Sequence, residues 1–198
     1  MKTIFLSLLA ATALLASCEA KKSETKDQLS EADQDTAVMA RDSRSAAATA
    51  NDAWDMTKSK LNGLEFKEIT SSDVSVRGDG AYSIYSVEEK VLFDSEKAEI
   101  KPGATEVLRQ IMGSIGQRYG TSEVRVMGFA DSRGDKSYNR ELSEKRTQAV
   151  KSYLVGTGKI DAARVSTEPM GETMPVATNA TPAGRQENRR VEIAVHTR

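Results

Sequence analysis

The sequence predicts an α/β body over residues 88–198, a mixed four-stranded sheet with parallel βα units packed against helices. Three observations carry that prediction. Short runs of alternating apolar residues recur between glycine breaks. Two longer segments space their apolar residues by three and four. The two patterns also alternate along the chain, which joins strands through helical crossovers. Residues 87–93 read as the first strand, closing at Asp94. Pro102 opens a helix, a favoured first-turn position for proline, and Ala104, Val107, Leu108, Ile111, Met112 and Ile115 line one face of it. Gly116 and Gly120 suit its exit. Val124, Val126 and Met127 mark a second strand over 123–129. A second helix follows with the stripe Tyr138, Leu142, Ala149, Val150, Tyr153 and Leu154, ended by Gly156 and Gly158. Residues 164–169 give a third strand, and Val191, Ile193 and Val195 alternate in a fourth over 190–195.

Upstream of the body the chain reads as an address and a spacer. Residues 1–17 carry Lys2 and then an apolar run from Ile4 to Ala16. A helix needs about 20 residues to cross a bilayer, so the run fits a removable export signal. Leu15-Ala16-Ser17-Cys18 resembles the lipobox of bacterial lipoproteins, which implies acylation of Cys18, the only cysteine. Several acyl chains anchor stably where one is marginal. Glu19, where an enterobacterial aspartate favours inner-membrane retention, points to the outer membrane. Residues 18–72 form the lipidated N-terminus and a polar, alanine-rich spacer. Residues 19–50 hold seven acidic and five basic side chains and no proline or glycine, too little apolar surface to offset ordering. Trp54, Met56, Leu61 and Leu64 are its residues able to dock. Over 73–87, Val74 and Val76 alternate with polar neighbours, Gly78-Asp79-Gly80 breaks the run, and Tyr82, Ile84 and Val87 follow. This predicts an accessory β-hairpin.

Composition excludes several chemistries. With 28 basic and 29 acidic residues, the chain lacks the basic excess that nucleic-acid binding asks for. One cysteine and one histidine exclude a disulfide framework and a Cys/His zinc site. His196 alone, at the end of the last strand, does not suit a hydrolase triad. No cofactor is implied.

Two residues break their local pattern. Four-residue steps from Tyr138 through Leu142 land on Arg146 and then Val150. An arginine on an inward stripe is either paired for a function or snorkels its head to water. Asp131 follows the second strand directly and precedes the helix of Arg146. It is either a loop or N-cap aspartate or part of a ligand crevice, which in open α/β layers lies beyond the carboxyl ends of strands. Together the two would suit a zwitterion: the guanidinium fork takes a carboxylate and the aspartate an ammonium.

Several ordered motifs in residues 88–198 resemble one family. They are Val91-Leu92-Phe93-Asp94; Gly128-Phe129-Ala130-Asp131-Ser132-Arg133-Gly134; Tyr138-Asn139-Arg140-Glu141-Leu142-Ser143-Glu144-Lys145-Arg146; Gly171-Glu172-Thr173-Met174-Pro175; Thr178-Asn179-Ala180-Thr181; and Gly184-Arg185-Gln186-Glu187-Asn188-Arg189-Arg190-Val191-Glu192-Ile193. The body is similar to the OmpA-like peptidoglycan-binding domain of OmpA tails, Pal lipoproteins and flagellar-motor stator proteins. The resemblance implies binding to the diaminopimelate of peptidoglycan stem peptides. It places the family's aspartate on Asp131 and its arginine on Arg146, with Asn139 and Asp94 near the same pocket. Asn188 and Arg190 match positions that tie the last strand to the loop before it. Phe129 and Ala130 replace a histidine or tyrosine and a threonine of many relatives, and Glu96 stands where many carry asparagine. The expectation is a non-enzymatic tether between outer membrane and cell wall, its body in the periplasm. The rivals are a Pal-like lipoprotein docking a periplasmic protein, and a wall-peptide hydrolase using Asp131 or Asp94 as base. The hydrolase needs a metal or an activated nucleophile, for which the sequence shows no residues.

Overall fold

The computed structural model divides the chain into two units, Met1–Ala48 and Thr49–Arg198, and describes Trp54, Met56 and residues 59–197, all in the second. The export signal, Cys18 and the spacer over 19–50 lie outside the described residues. Six strands form one sheet: β1 (Asn62–Leu64), β2 (Val74–Gly78), β3 (Tyr82–Glu88), β4 (Val124–Phe129), β5 (Val165–Gly171) and β6 (Arg190–His196). Their order is β1-β2-β3-β6-β4-β5. Only β4 and β5 pair in parallel, joined through helix α3 (Lys136–Gly156). β6 is antiparallel to both of its neighbours. The other helices are α1 (Glu89–Leu92), α2 (Thr105–Arg118) and α4 (Pro182–Asn188). Among the described residues no helix is long and apolar enough to cross a membrane.

The mixed sheet with helices stands, and its strand count is corrected from four to six. The hairpin of β2 and β3 is not a separate ornament: β3 pairs along its whole length with β6. The strand expected over 87–93 ends at Glu88. Phe93 N–H then bonds back to Glu89 O at 2.8 Å and closes a helical turn. A continuous apolar run such as Val91-Leu92-Phe93 has no period with which to tell strand from helix. Residues 59–72 join the body as well. Leu64, Phe66 and Ile69 pack on its core, and Gln110 Oε1 accepts from the backbone N–H of Thr70 and Ser71.

Strand alternation gives the sheet two different faces. One carries Tyr85, Val87, Val124, Val126, Val165, Val191, Ile193 and Val195, and buries Val107, Leu108, Ile111 and Ile115 of α2 with Val150 and Leu154 of α3. The other carries Tyr82, Ile84, Met127, Phe129 and Ala194, on which Trp54 docks. Its ring lies 5.9 Å from Tyr82 and 5.7 Å from His196, with the Arg125 guanidinium 4.7 Å above it. Helix α3 seats flush on β4 at Gly128, where an added Cβ would lie 2.9 Å from Thr147 Cγ2 and 3.0 Å from Ser143 O.

The buried stripe of α3 runs through Asn139, Ser143, Arg146, Thr147, Val150 and Leu154. Tyr138, expected inside, is exposed. The first half of the helix thus buries polar side chains, and the helix turns about one residue away from the purely apolar stripe.

Candidate functional site

β4 ends at Phe129, and two residues later Asp131 begins the loop into α3. Asp131 Oδ1 accepts from Arg133 N–H at 2.9 Å, folding the loop on itself. Asp135 caps the helix, its Oδ1 accepting from Ser137 N–H at 2.8 Å. The Ser137 hydroxyl, together with backbone N–H groups, holds the Asp135 carboxyl below the usual range. Asn139, in the first turn, donates from Nδ2 to Arg133 O at 2.8 Å and Asp131 O at 3.3 Å. It fixes the backbone that presents Asp131.

Two turns further on, Arg146 donates from Nε to Lys97 O at 2.9 Å and lies 5.3 Å from the Phe93 ring. Burial pushes its guanidinium below the ordinary value, and the carboxylate of Glu89 partly offsets that. An arginine stays charged even so. Its Nη2 is 2.6 Å from Glu89 Oε1.

Asp131 and Arg146 do not face each other across open space. Arg189 Nη1 is 2.5 Å from Asp131 Oδ2, and Arg189 Nε is 3.3 Å from Glu89 Oε2. The four side chains make a relay of alternating charge: Asp131, Arg189, Glu89, Arg146. Asp131, Glu89 and Arg146 are 6%, 8% and 5% exposed, whereas the Arg189 side chain is 31% exposed. Arg189 is the member that solvent reaches. Asp94 stands apart. Its side chain is exposed and pairs with Lys97 at 3.4 Å and Lys101 at 4.0 Å. The structure therefore gathers Asp131, Asn139 and Arg146, and leaves Asp94 on the rim of the loop that supplies the Lys97 carbonyl.

Glu89 and Arg189 escaped sequence reasoning. Their signal was a pair of charge doublets, Glu88-Glu89 and Arg189-Arg190. The register of β3 on β6 sets Glu88 opposite Arg190, which carries Glu89 alongside Arg189, and Glu89 N–H donates to Arg189 O at 3.0 Å. Phe129 also has a part in this end of the sheet: the Arg190 guanidinium stacks 3.7 Å from its ring. No three of His, Cys, Asp or Glu gather as a metal site among the described residues. What the relay suits is a small ion pair, one cationic and one anionic group held close together.

Residues 92–189 match the OmpA family. That stretch is an OmpA-family domain. Asp131, Asn139, Arg146 and Arg189 lie inside the matched stretch, and Glu89 lies just upstream of it. Outer-membrane lipoprotein YfiB of Pseudomonas aeruginosa is 35% identical over 111 residues, covering 56% of this chain and 65% of YfiB. Peptidoglycan-binding protein ArfA of Mycobacterium bovis is 33% identical over 106 residues, 54% of this chain and 32% of ArfA. Among solved structures, the cell wall anchor of the T6SS from Pseudomonas aeruginosa superposes with a TM-score of 0.60 at 32% identity, over 66% of this chain and 92% of that one. The chain spans less than two thirds of the length of these two curated relatives. What they share with it is the OmpA-family region.

Proposed function

We propose that this chain is a non-enzymatic outer-membrane lipoprotein. On this reading lipid on Cys18 holds one end, and the body binds the diaminopimelate of peptidoglycan stem peptides. The observation that carries the reading is the burial of Asp131 and Arg146, from different elements, at the two ends of one charge relay beyond the carboxyl end of β4. Diaminopimelate offers an ammonium and a carboxylate on one carbon. Asp131 would take the first and Arg146 the second, with Asn139 keeping the loop in place and Asp94 contributing only from the rim. ArfA, named for peptidoglycan binding, and a cell wall anchor support the reading by likeness. Single-site affinity is modest for so small and well-hydrated a ligand. Many membrane-held copies facing one polymer add avidity.

The test is retention of the full chain on purified sacculi. Alanine at 146 would leave a cavity and take the nearest N–H from Glu89, which keeps only Arg189, whereas glutamine retains bulk and a donor there, so Asp131→Asn and Arg146→Gln are the better variants. Both should lose retention while melting as cooperatively as the wild type. Retention of both at the wild-type level would overturn the assignment, as would unchanged binding to sacculi whose diaminopimelate is amidated.

A further inference from the structure

The Arg189–Glu89 pair resembles, group for group, what the proposed ligand would bring. A cation sits against Asp131, an anion sits against Arg146, and the two are 3.3 Å from one another. We infer that this pair is a built-in surrogate of the zwitterion, occupying the site until diaminopimelate displaces it and so setting the affinity. The inference rests on the reading of Asp131 and Arg146 given above and adds its regulation.

Three observations support it. First, the surrogate is imperfectly seated. Among the described residues, the buried Glu89 Oε2 and Arg146 Nη2 meet only members of the relay, Oε2 at 3.3 Å from Arg189 Nε and Nη2 at 2.6 Å from Glu89 Oε1, neither in good hydrogen-bond alignment. The charges are close but off the line of a hydrogen bond. Buried capacity of this kind is costly to leave unmade, and an incoming carboxylate could align with it. Second, the two ends of the surrogate are not equally fixed. Arg189 is its exposed member, anchored by Gln186 Oε1, and can swing to water. Its departure opens Asp131 and leaves Glu89 with one cation fewer. Third, the backbone itself sets the pair side by side: Glu89 N–H donates to Arg189 O at 3.0 Å, so the two charges sit over Asp131 and Arg146 by the register of the sheet end.

Competition of this type has a definite arithmetic. If the site is open for only a fraction of the time, the apparent Kd exceeds the intrinsic one by the inverse of that fraction. An open fraction of about one in ten weakens binding about tenfold.

The experiment titrates the full chain in detergent micelles with meso-diaminopimelate, followed by calorimetry. Wild type is compared with the double variant Glu89→Gln/Arg189→Gln, which leaves the net charge unchanged, so a gain cannot come from the overall field. The expected result is a Kd lower by about tenfold in the double variant, with binding in both proteins abolished by Asp131→Asn. Should the double variant not melt cooperatively, Glu89→Gln alone is judged by the same criterion. If wild type binds and the variant binds equally or more weakly, Glu89 and Arg189 merely hold Arg146 and Asp131 in position. The surrogate is then wrong while the site stands. If neither protein binds diaminopimelate, both readings fall together.

Discussion

Asn188 and Asn179 meet side chain to side chain, Nδ2 of the first donating to Oδ1 of the second at 2.9 Å. The same Oδ1 accepts from Ser132 N–H at 3.3 Å. The end of α4 is thereby tied to the loop that presents Asp131.

Asn188 is fully buried and spends its whole amide. Besides Asn179 it donates to Ala177 O and accepts from the N–H groups of Val176 and Ala177. Asn188→Ala leaves these groups unsatisfied and should cost about 2–4 kcal/mol, read as a lower urea midpoint with an unchanged m-value. Because Asn179, which Asn188 holds, also accepts from Ser132 N–H in the loop of Asp131, diaminopimelate binding should weaken as well.

Gly128 is the close approach between β4 and α3. In Gly128→Ala the new methyl meets Thr147 Cγ2 and the Ser143 carbonyl, and overpacking of that kind costs about 1–3 kcal/mol. Adding Thr147→Ser removes the movable neighbour but not the backbone one. The double variant should therefore recover part of the melting temperature and not all of it.

Glu96 sits at φ 58, in the left-handed region where asparagine is far better tolerated than a long side chain. Glu96→Asn should raise stability by about 0.5–1 kcal/mol in urea melts and leave sacculus retention as it was.

Glu68 links the 64–73 segment to α2. Arg118 beside it holds its carboxyl down at about 2, and the Ser114 hydroxyl adds to the effect. Between pH 4.5, its ordinary value, and about 2, the unfolded chain takes up a proton that the folded one refuses. The stabilisation is complete above that window and is lost as the pH falls through it. Glu68→Gln should flatten this part of the stability profile. Glu106, exposed and paired with Arg109, titrates in the same window but is screened by salt. The flattening specific to Glu68→Gln, measured against Glu106→Gln as control, therefore gives the Glu68 contribution.

The elements most legible in the sequence were those whose buried face is purely apolar. Helix α2 shows its stripe through Val107, Leu108, Ile111 and Ile115, and all four are buried. Helix α3 misleads because its first half faces the polar end of the body. There Asn139, Ser143 and Thr147 go inside while Tyr138 stays out, and hydrophobic spacing cannot register a polar interior. The strands before residue 88 were readable only as a hairpin. Membership of the main sheet depends on β6, more than a hundred residues away. The same distance hid Glu89 and Arg189. Asp131 and Arg146 stand out locally, one by its place after a strand and the other by breaking a stripe. Their neighbours become visible only once β3 and β6 are laid side by side.

The position of β6 has one more consequence. It is threaded between β3 and β4, so neither half of the sheet can be completed until residues 190–196 have been delivered. A shorter chain would expose two raw edges, each inviting mispairing, and its nonlocal contacts would form late. A polypeptide with that wiring stays slack along most of its length and locks only once its last strand slides between two partners laid down far earlier in the chain.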